Sequence, residues 1–341
     1  MAAVFVRVFQ RFFFSLLVVV FVGTFTGCYL PAGSSALLGE ESVASRSEAD
    51  DPDDPDSGTE DNPHVVGSAE QLVELLQSDD LSLDAHYVLN ADIDLSDHDD
   101  WKPIGSAAEP FTGSFDGGGH VIHDLEFEST DHDEMGFFGV VAAGAVIQYV
   151  GIEDADLEDN THRNHRGLLA GINYGTIRYS FATGSVEGNY AIGGLVGINE
   201  GTIEKSYALV EVYGNSAVGG LVGVNRGSGR ITVSYAAEEV ETWNEGENEG
   251  ALVGSNEWHH GEQPEVTKSF FDQEINPGMV GVRGDDGNVE VTGLTTDEAT
   301  SPEIFIEGGL LEDYGFDFEN TWDIDSNWNE GYPFLRAVPP E

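Results

Sequence analysis

"GGLVGINEGTIEKSYALVEVYGNSAVGGLVGVN" runs from Gly193 to Asn225 and closes on nearly the same letters with which it opens. Aligned on glycine, three further stretches carry the pattern: "GLLAGINYGTI" from Gly167, "GGLVGVNRGSGRI" from Gly219 and "GALVGSNEWHHGEQPEV" from Gly250. The first three units start 26 residues apart, at 167, 193 and 219, and the fourth follows after 31. A fainter copy, "GFFGVVAAGAVIQYVGIEDADLEDN", precedes them from Gly136. A fixed period in this range marks a stacked architecture in which each unit buries its apolar face against its neighbours.

The local composition decides which stack. The segments are short, β-branched and punctuated by Gly and Asn, and in "ALVEVYG" Ala208, Val210 and Val212 alternate onto one face. Several glycines in every unit disfavour helical repeats. The expected fold class is all-β: a right-handed parallel β-helix, or solenoid, of ~26-residue glycine-rich repeats. In such a stack Leu195 lies over Leu221 and Ile203 over Ile231. Gly171, Gly197, Gly223 and Gly254 fall where the chain turns tightly or approaches a neighbour too closely for a Cβ. Asn173, Asn199, Asn225 and Asn256 follow two residues later and are expected to form a structural ladder of stacked turn amides rather than a ligand site. Glu238 takes the place of Val210, so its coil is expected to bulge.

These units resemble the GLUG motif, the glycine-rich repeat of bacterial surface proteins that include filamentous-adhesin-like proteins and stalks of immunoglobulin-A-cleaving peptidases. "YVLNADIDLS" (87–96), "WKPIG" (101–105), "FTGSFDGGGHVIHDLEF" (111–127) and "WDIDSNWNEGYPFL" (322–335) are similar to further pieces of GLUG proteins. The resemblance implies a β-solenoid and an exported surface location, and no single biochemical activity.

The ends of a stack must be covered, because a bare terminal coil exposes strand edges and apolar faces. "GSAEQLVELLQ" (67–77) pairs Ser68 with Gln71 in capping-box spacing and sets Leu72, Leu75 and Leu76 on one helical face, predicting a short N-terminal capping helix. Aromatic-rich "DYGFDFENTW" and "GYPFL" are expected to close the last of about seven coils.

Upstream of the repeats the chain changes character twice. Residues 1–27 contain no acid, carry Arg7 and Arg11 ahead of the apolar run 12–22, and end in small residues before Cys28. This is the layout of a signal peptide, too short for a spanning helix. "FTGC" (25–28) resembles a lipobox, with Phe25 where Leu is usual, and implies that Cys28, the single cysteine, is lipidated. Residues 28–62 then read as an acidic disordered tether. The expected organisation is a lipoprotein-type signal at 1–27, the tether at 28–62, an N-terminal cap and entry coils at 63–134, GLUG-type coils at 135–275, and C-terminal coils and cap at 276–341. An exported, membrane-anchored lipoprotein facing the cell exterior follows, on the outer membrane where the host has one.

With 63 Asp and Glu against 13 Lys and Arg, the formal charge of −50 argues against nucleic acid as a partner. Pervasive acids with only three lysines resemble proteins of salt-loving microbes, in which molar salt screens self-repulsion. Catalytic patterns are sparse. Asp92, Asp94, Asp116 and Asp124 read as turn and cap residues rather than a glycosidase pair. His120 and His123 stand three apart on a strand, which separates their faces, and His259 and His260 read as surface loop residues, so no metal or cofactor is expected. The reading is a lipid-anchored, non-catalytic solenoid that binds a glycan or cell-surface protein, or serves as an envelope component. A carbohydrate-active β-helix enzyme stays open as the alternative. Outward aromatics in a row, Tyr207, Tyr213, Tyr235 and Trp243, would favour binding.

Overall fold

The computed structural model describes residues 58–340, apart from 79–80, 99–100, 128–132, 158–162, 244–247, 285–286 and 307–308. The signal-like segment, Cys28 and all of the tether but its last residues lie outside the described residues. What is described is a parallel β-solenoid of about six turns, one fewer than expected. One coil consists of four strands, Thr176–Arg178, Phe181–Glu187, Tyr190–Gly193 and Val196–Asn199. The next coil repeats them as Thr202–Glu204, Tyr207–Gly214, Ser216–Gly219 and Val222–Arg226, every strand parallel to its predecessor.

Because register repeats, each residue lies over its counterpart. Ile147, Ile177, Ile203, Ile231 and Val266 form one fully buried inner column. Leu195 donates its N–H to Leu221 O at 3.0 Å, and Leu221 does the same to Leu252 O. The third and fourth strands of each coil pack backbone against backbone. A Cβ on Gly197 would lie 2.6 Å from Arg166 N and from Gly171 O, and one on Gly223 would lie 2.4 Å from Ala191 C. The glycine column therefore serves close approach rather than a turn.

Two polar ladders satisfy the corners. Asn173 Nδ2 donates to Asn199 Oδ1 at 2.8 Å, Asn199 to Asn225 Oδ1 at 2.9 Å, and Asn225 to Asn256 Oδ1 at 2.9 Å. At the next corner, between the first and second strands, Tyr149, Tyr179, Lys205, Val233 and Lys268 all take left-handed φ values of 48 to 53°. The serine after each of the last four closes the kink. Ser180 N donates to Ser206 Oγ, Ser206 N to Ser234 Oγ and Ser234 N to Ser269 Oγ at 3.2 to 3.3 Å, while each hydroxyl bonds back to the carbonyl two residues earlier. Glu238 interrupts its strand without shifting register, since Tyr207 pairs with Tyr235 and Val212 with Val240. Asn276 patches the break rather than a bulge absorbing it: its Nδ2 donates to Glu238 O at 2.8 Å and its Oδ1 accepts from Val240 N at 2.9 Å.

The first coil is covered by the helix Ala69–Leu76, with Ser68 Oγ accepting from Gln71 N and Gln71 Oε1 from Gly67 N, and Leu72 and Leu76 buried. The C-terminal segment departs from expectation. Instead of closing the last coil it lies along the flank, where Trp322, Tyr332, Phe316 and Phe305 cover the outer side of the second strands. It reaches back as far as Gly119, beside Ala337 O. Beneath it Phe181, Tyr207, Tyr235 and Phe270 stack in a column with centroids 4.7 to 5.0 Å apart. Tyr207 and Tyr235 are thus wholly buried, which corrects their reading as surface aromatics. Alternation does turn them away from Ala208 and Val210, but the flank segment removes them from water.

The two tyrosines differ in their hydroxyls. Tyr235 Oη donates to Pro333 O and accepts from Asn329 Nδ2, whereas Tyr207 Oη has no partner among the described residues. Tyr235→Phe should therefore cost about 1–2 kcal/mol in a urea titration, and Tyr207→Phe should leave stability unchanged or raise it. Within the asparagine ladder, Asn199→Ala strands the Asn225 acceptor and should cost about 2 kcal/mol or more in the same titration, against less for Ala at the outermost position Asn173.

Candidate functional site

The asparagine ladder also sets the surface beside it. The residue after each asparagine points to the outside, so Tyr174, Glu200, Arg226 and Glu257 form a column on four successive coils. The facing lip comes from the third strands, where Asn164 pairs with Tyr190 and Tyr190 with Ser216. Between the lips lies an apolar floor of Val140, Ile172, Ile198 and Val224 from the fourth strands and Ala191 and Ala217 from the third, with Tyr190 packed against it. The result is an axial groove whose base is filled by these buried side chains, one polar or aromatic side chain per coil on each lip, with coils about 4.8 Å apart.

Its polar groups are tied together. Arg226 Nε donates to Glu200 Oε1 at 2.8 Å, and the Glu200 and Arg226 side chains are 17% and 23% exposed. Burial raises the Tyr174 and Tyr190 hydroxyls above the usual tyrosine range. Glu200 adds to the effect at Tyr174 and Glu257 at Tyr190, while Arg226 opposes it at both. His165, in left-handed conformation with φ 53°, sits below Tyr190 with ring centroids 6.1 Å apart. Its Nδ1 is 4.0 Å from Glu134 Oε1, too far for a hydrogen bond. Burial lowers its affinity for a proton more than Glu134 and Asp133 raise it.

The loop that stretches the fourth repeat belongs to this groove. His259 and Glu262 bridge antiparallel, and His260 and Gly261 between them take φ values of 52° and 86°, the signature of a two-residue type I′ turn. The hairpin folds back over the preceding coil and brings His259 Nδ1 to 3.8 Å from Glu200 Oε2. Trp258, at its base, is 58% exposed, and Tyr174 is 39% exposed.

Other expected positions lie elsewhere. His120 Nδ1 meets Asp92 Oδ1 at 3.0 Å and His123 Nδ1 meets Glu153 Oε2 at 3.4 Å, so the two histidines have different partners. Asp94 and Asp116 accept from Ser96 N and Gly118 N as turn anchors, and Asp124 holds a left-handed φ of 53°. Tyr213 packs edge-on to Trp243 on another face. Among the described residues no group of three or more His, Cys, Asp or Glu is arranged to hold a metal ion. The groove itself went unread, because its lips are joined by stacking rather than by sequence. The available signal was the varying residue after each repeated asparagine.

With the coil geometry in place, residues 188–213, one full turn from the third strand of one coil to the second strand of the next, match the family model described as "The GLUG motif". The chain is a β-solenoid that carries a GLUG motif in that segment. It is 34% identical over 150 residues to halomucin of Haloquadratum walsbyi, a match covering 41% of this chain and 2% of that protein. It is 30% identical over 125 residues to a "Putative Gly-rich membrane protein" of Evansella cellulosilytica, covering 35% of this chain and 14% of that protein. The chain thus spans a small part of the length of the relatives it matches. Its fold is similar to the crystal structure of a "putative immunoglobulin A1 protease" from Bacteroides ovatus, with TM-score 0.62 and 20% identity over 82% of this chain and 94% of that one. At that identity the likeness is one of fold alone.

His165 gives the groove a pH dependence with a definite sign. Its folded-state affinity for protons is lowered from the ordinary value of 6.5, so below that value the unfolded chain binds more protons. The contribution is fully present above 6.5 and is lost as pH falls through the lower, folded value. Between about pH 7 and pH 5 the urea midpoint should fall more steeply for the parent than for His165→Asn, a residue that also tolerates left-handed φ.

Proposed function

We propose that the GLUG solenoid is a non-catalytic binding module displayed on the cell exterior, tethered to the membrane through a lipidated Cys28, with a glycan or a cell-surface protein as its ligand. The observation that carries the reading is the axial groove, which sets exposed aromatic rings, carboxylates and a guanidinium along one rigid face. The names of the relatives, halomucin and a Gly-rich membrane protein, support a surface or membrane location. The excess of 63 acids over 13 bases, together with a relative from Haloquadratum, supports a protein built for high salt. There the Debye length shrinks to about 3 Å and carboxylates stop repelling one another.

The second reading is a carbohydrate-active enzyme, favoured by one observation: Glu200 is held between Arg226 and His259, as a positioned acid would be. A single experiment separates the two. The full chain, in about 3 M salt, is co-sedimented with cell-surface polysaccharides and with envelope proteins, and reducing ends are measured in the same tubes. Binding without new ends is expected. New ends would replace this reading with the enzyme, and absence of binding to every probe would remove it. In cells of the host, the chain should fractionate with membranes and Cys28→Ser should release it to the medium.

A further inference from the structure

We infer that the axial groove is a binding site for an uncharged polysaccharide lying along the solenoid, with Tyr174, Tyr190 and Trp258 stacking on sugar faces while Glu200, Arg226 and Glu257 bond to hydroxyls. This rests on the binding reading above and deepens it by naming the site and the class of ligand.

A pyranose presents an apolar C–H face and a rim of hydroxyls that both donate and accept. A site for it therefore needs flat apolar surface together with fixed donors and acceptors. The groove supplies the first in the Trp258 indole and Tyr174 ring, 58% and 39% exposed, and in Tyr190, packed on the apolar floor. It supplies the second in the column Glu200, Arg226, Glu257, whose members stand on consecutive coils. Hydrogen bonds hold them in place: Arg226 Nε donates to Glu200 Oε1, and Glu257 Oε1 accepts from Ser255 Oγ at 2.7 Å. The site is thereby preorganised, which lowers the ordering cost of binding. Period matters as well. Coils follow one another at about 4.8 Å, close to the advance of one sugar along an extended chain, so a saccharide parallel to the axis meets a new lip residue at each unit.

Charge narrows the class. Glu134, Glu200 and Glu257 outnumber Arg226 at the groove on a chain of formal charge −50, which disfavours a polyanion. A basic peptide would suit the acids but leaves the aromatic faces without a role, and in molar salt its ionic contacts are screened. Stacking and hydrogen bonding to a neutral sugar survive those conditions.

The inserted hairpin completes the site. It brings His259 beside Glu200 and sets Trp258 at the groove edge, and a Cβ on Gly227 beneath it would lie 3.5 Å from Glu200 Oε2 and 3.8 Å from His259 Cβ. The insertion after Asn256 therefore coincides with an exposed tryptophan, which the other repeats lack at that place.

The test is isothermal titration of the full chain with maltohexaose, cellohexaose, mannohexaose and xylohexaose, with oligolysine as the basic-peptide probe, at two salt concentrations of about 1 M and 3 M. At least one hexasaccharide should bind with an affinity that changes by less than about threefold between them. Trp258→Ala and Tyr174→Ala should each weaken it about tenfold or more, while Trp328→Ala, an exposed tryptophan on the flank segment, should not. Unfolding midpoints of the three variants should match the parent, because the removed rings are largely outside the core. If a hexasaccharide binds and both groove variants bind it like the parent, the groove assignment is overturned and the general binding reading stands. Binding of oligolysine alone, weakening with salt, would overturn the ligand class, and so would failure of every hexasaccharide while a protein co-sediments.

Discussion

Everything in this molecule follows from one constraint: each coil repeats the register of the coil before it, so every side chain has its counterpart as its nearest neighbour about 4.8 Å away. Apolar columns and amide ladders profit from such self-pairing, because a leucine packs on a leucine and an asparagine both donates to and accepts from another. Charges do not. On the exposed outer face the register carries Glu126 to Asp156, Asp156 to Ser185, Ser185 to Glu211 and Glu211 to Glu239, a row of carboxylates relieved by one serine. Like charges directly opposite one another on a sheet are destabilising. The few cations are spent where the same rule would otherwise hurt: Arg226 stands between Glu200 and Glu257, and Arg230 meets Glu265. An acid-rich solenoid is thus a structure whose repulsions are aligned by its own fold, and salt screening acts on all of those rows together.

Where sequence period and register are the same thing, reading was straightforward. The columns through Leu195 and Ile203, the asparagine ladder and the glycines at 171, 197, 223 and 254 are periodic in sequence and therefore adjacent in space. The serine ladder was equally periodic, at 180, 206, 234 and 269, and passed unnoticed because serine in a strand carries no strong propensity. Its function depends on the left-handed residue before it, and backbone handedness at Tyr179, Lys205 or Val233 is not written in those side chains.

The misreading of Tyr207 and Tyr235 has a different cause. Their direction was legible from alternation, but exposure depends on what else lies there. The cover comes from Trp322, Tyr332 and their neighbours, a non-repeating segment with no counterpart in the coils. Aromatic-rich termini of solenoids have two apolar surfaces to choose from, the open end of the last coil and any outward aromatic column along the side. Here the column wins, since Phe181, Tyr207, Tyr235 and Phe270 offer four stacked rings, whereas the last long strand, Asn288–Leu294, offers Val289 at 42% exposure among polar neighbours.

The groove lies at the opposite extreme from the repeat. Its scaffold is the most regular part of the chain, while its chemistry is carried by the position after each asparagine, which varies from coil to coil: Tyr174, Glu200, Arg226, Glu257. A solenoid can vary that position freely, because the side chain points out of the core. It can also absorb an insertion there, since a hairpin such as that at His259 leaves from a turn and disturbs no ladder, Asn225 still bonding Asn256 across it. Regular coils thus provide spacing, and chemical variety is confined to the irregular residues between them. Variation in such a stack is therefore cheapest at the residue after the asparagine and in the loop that follows it, where this chain inserts the His259 hairpin.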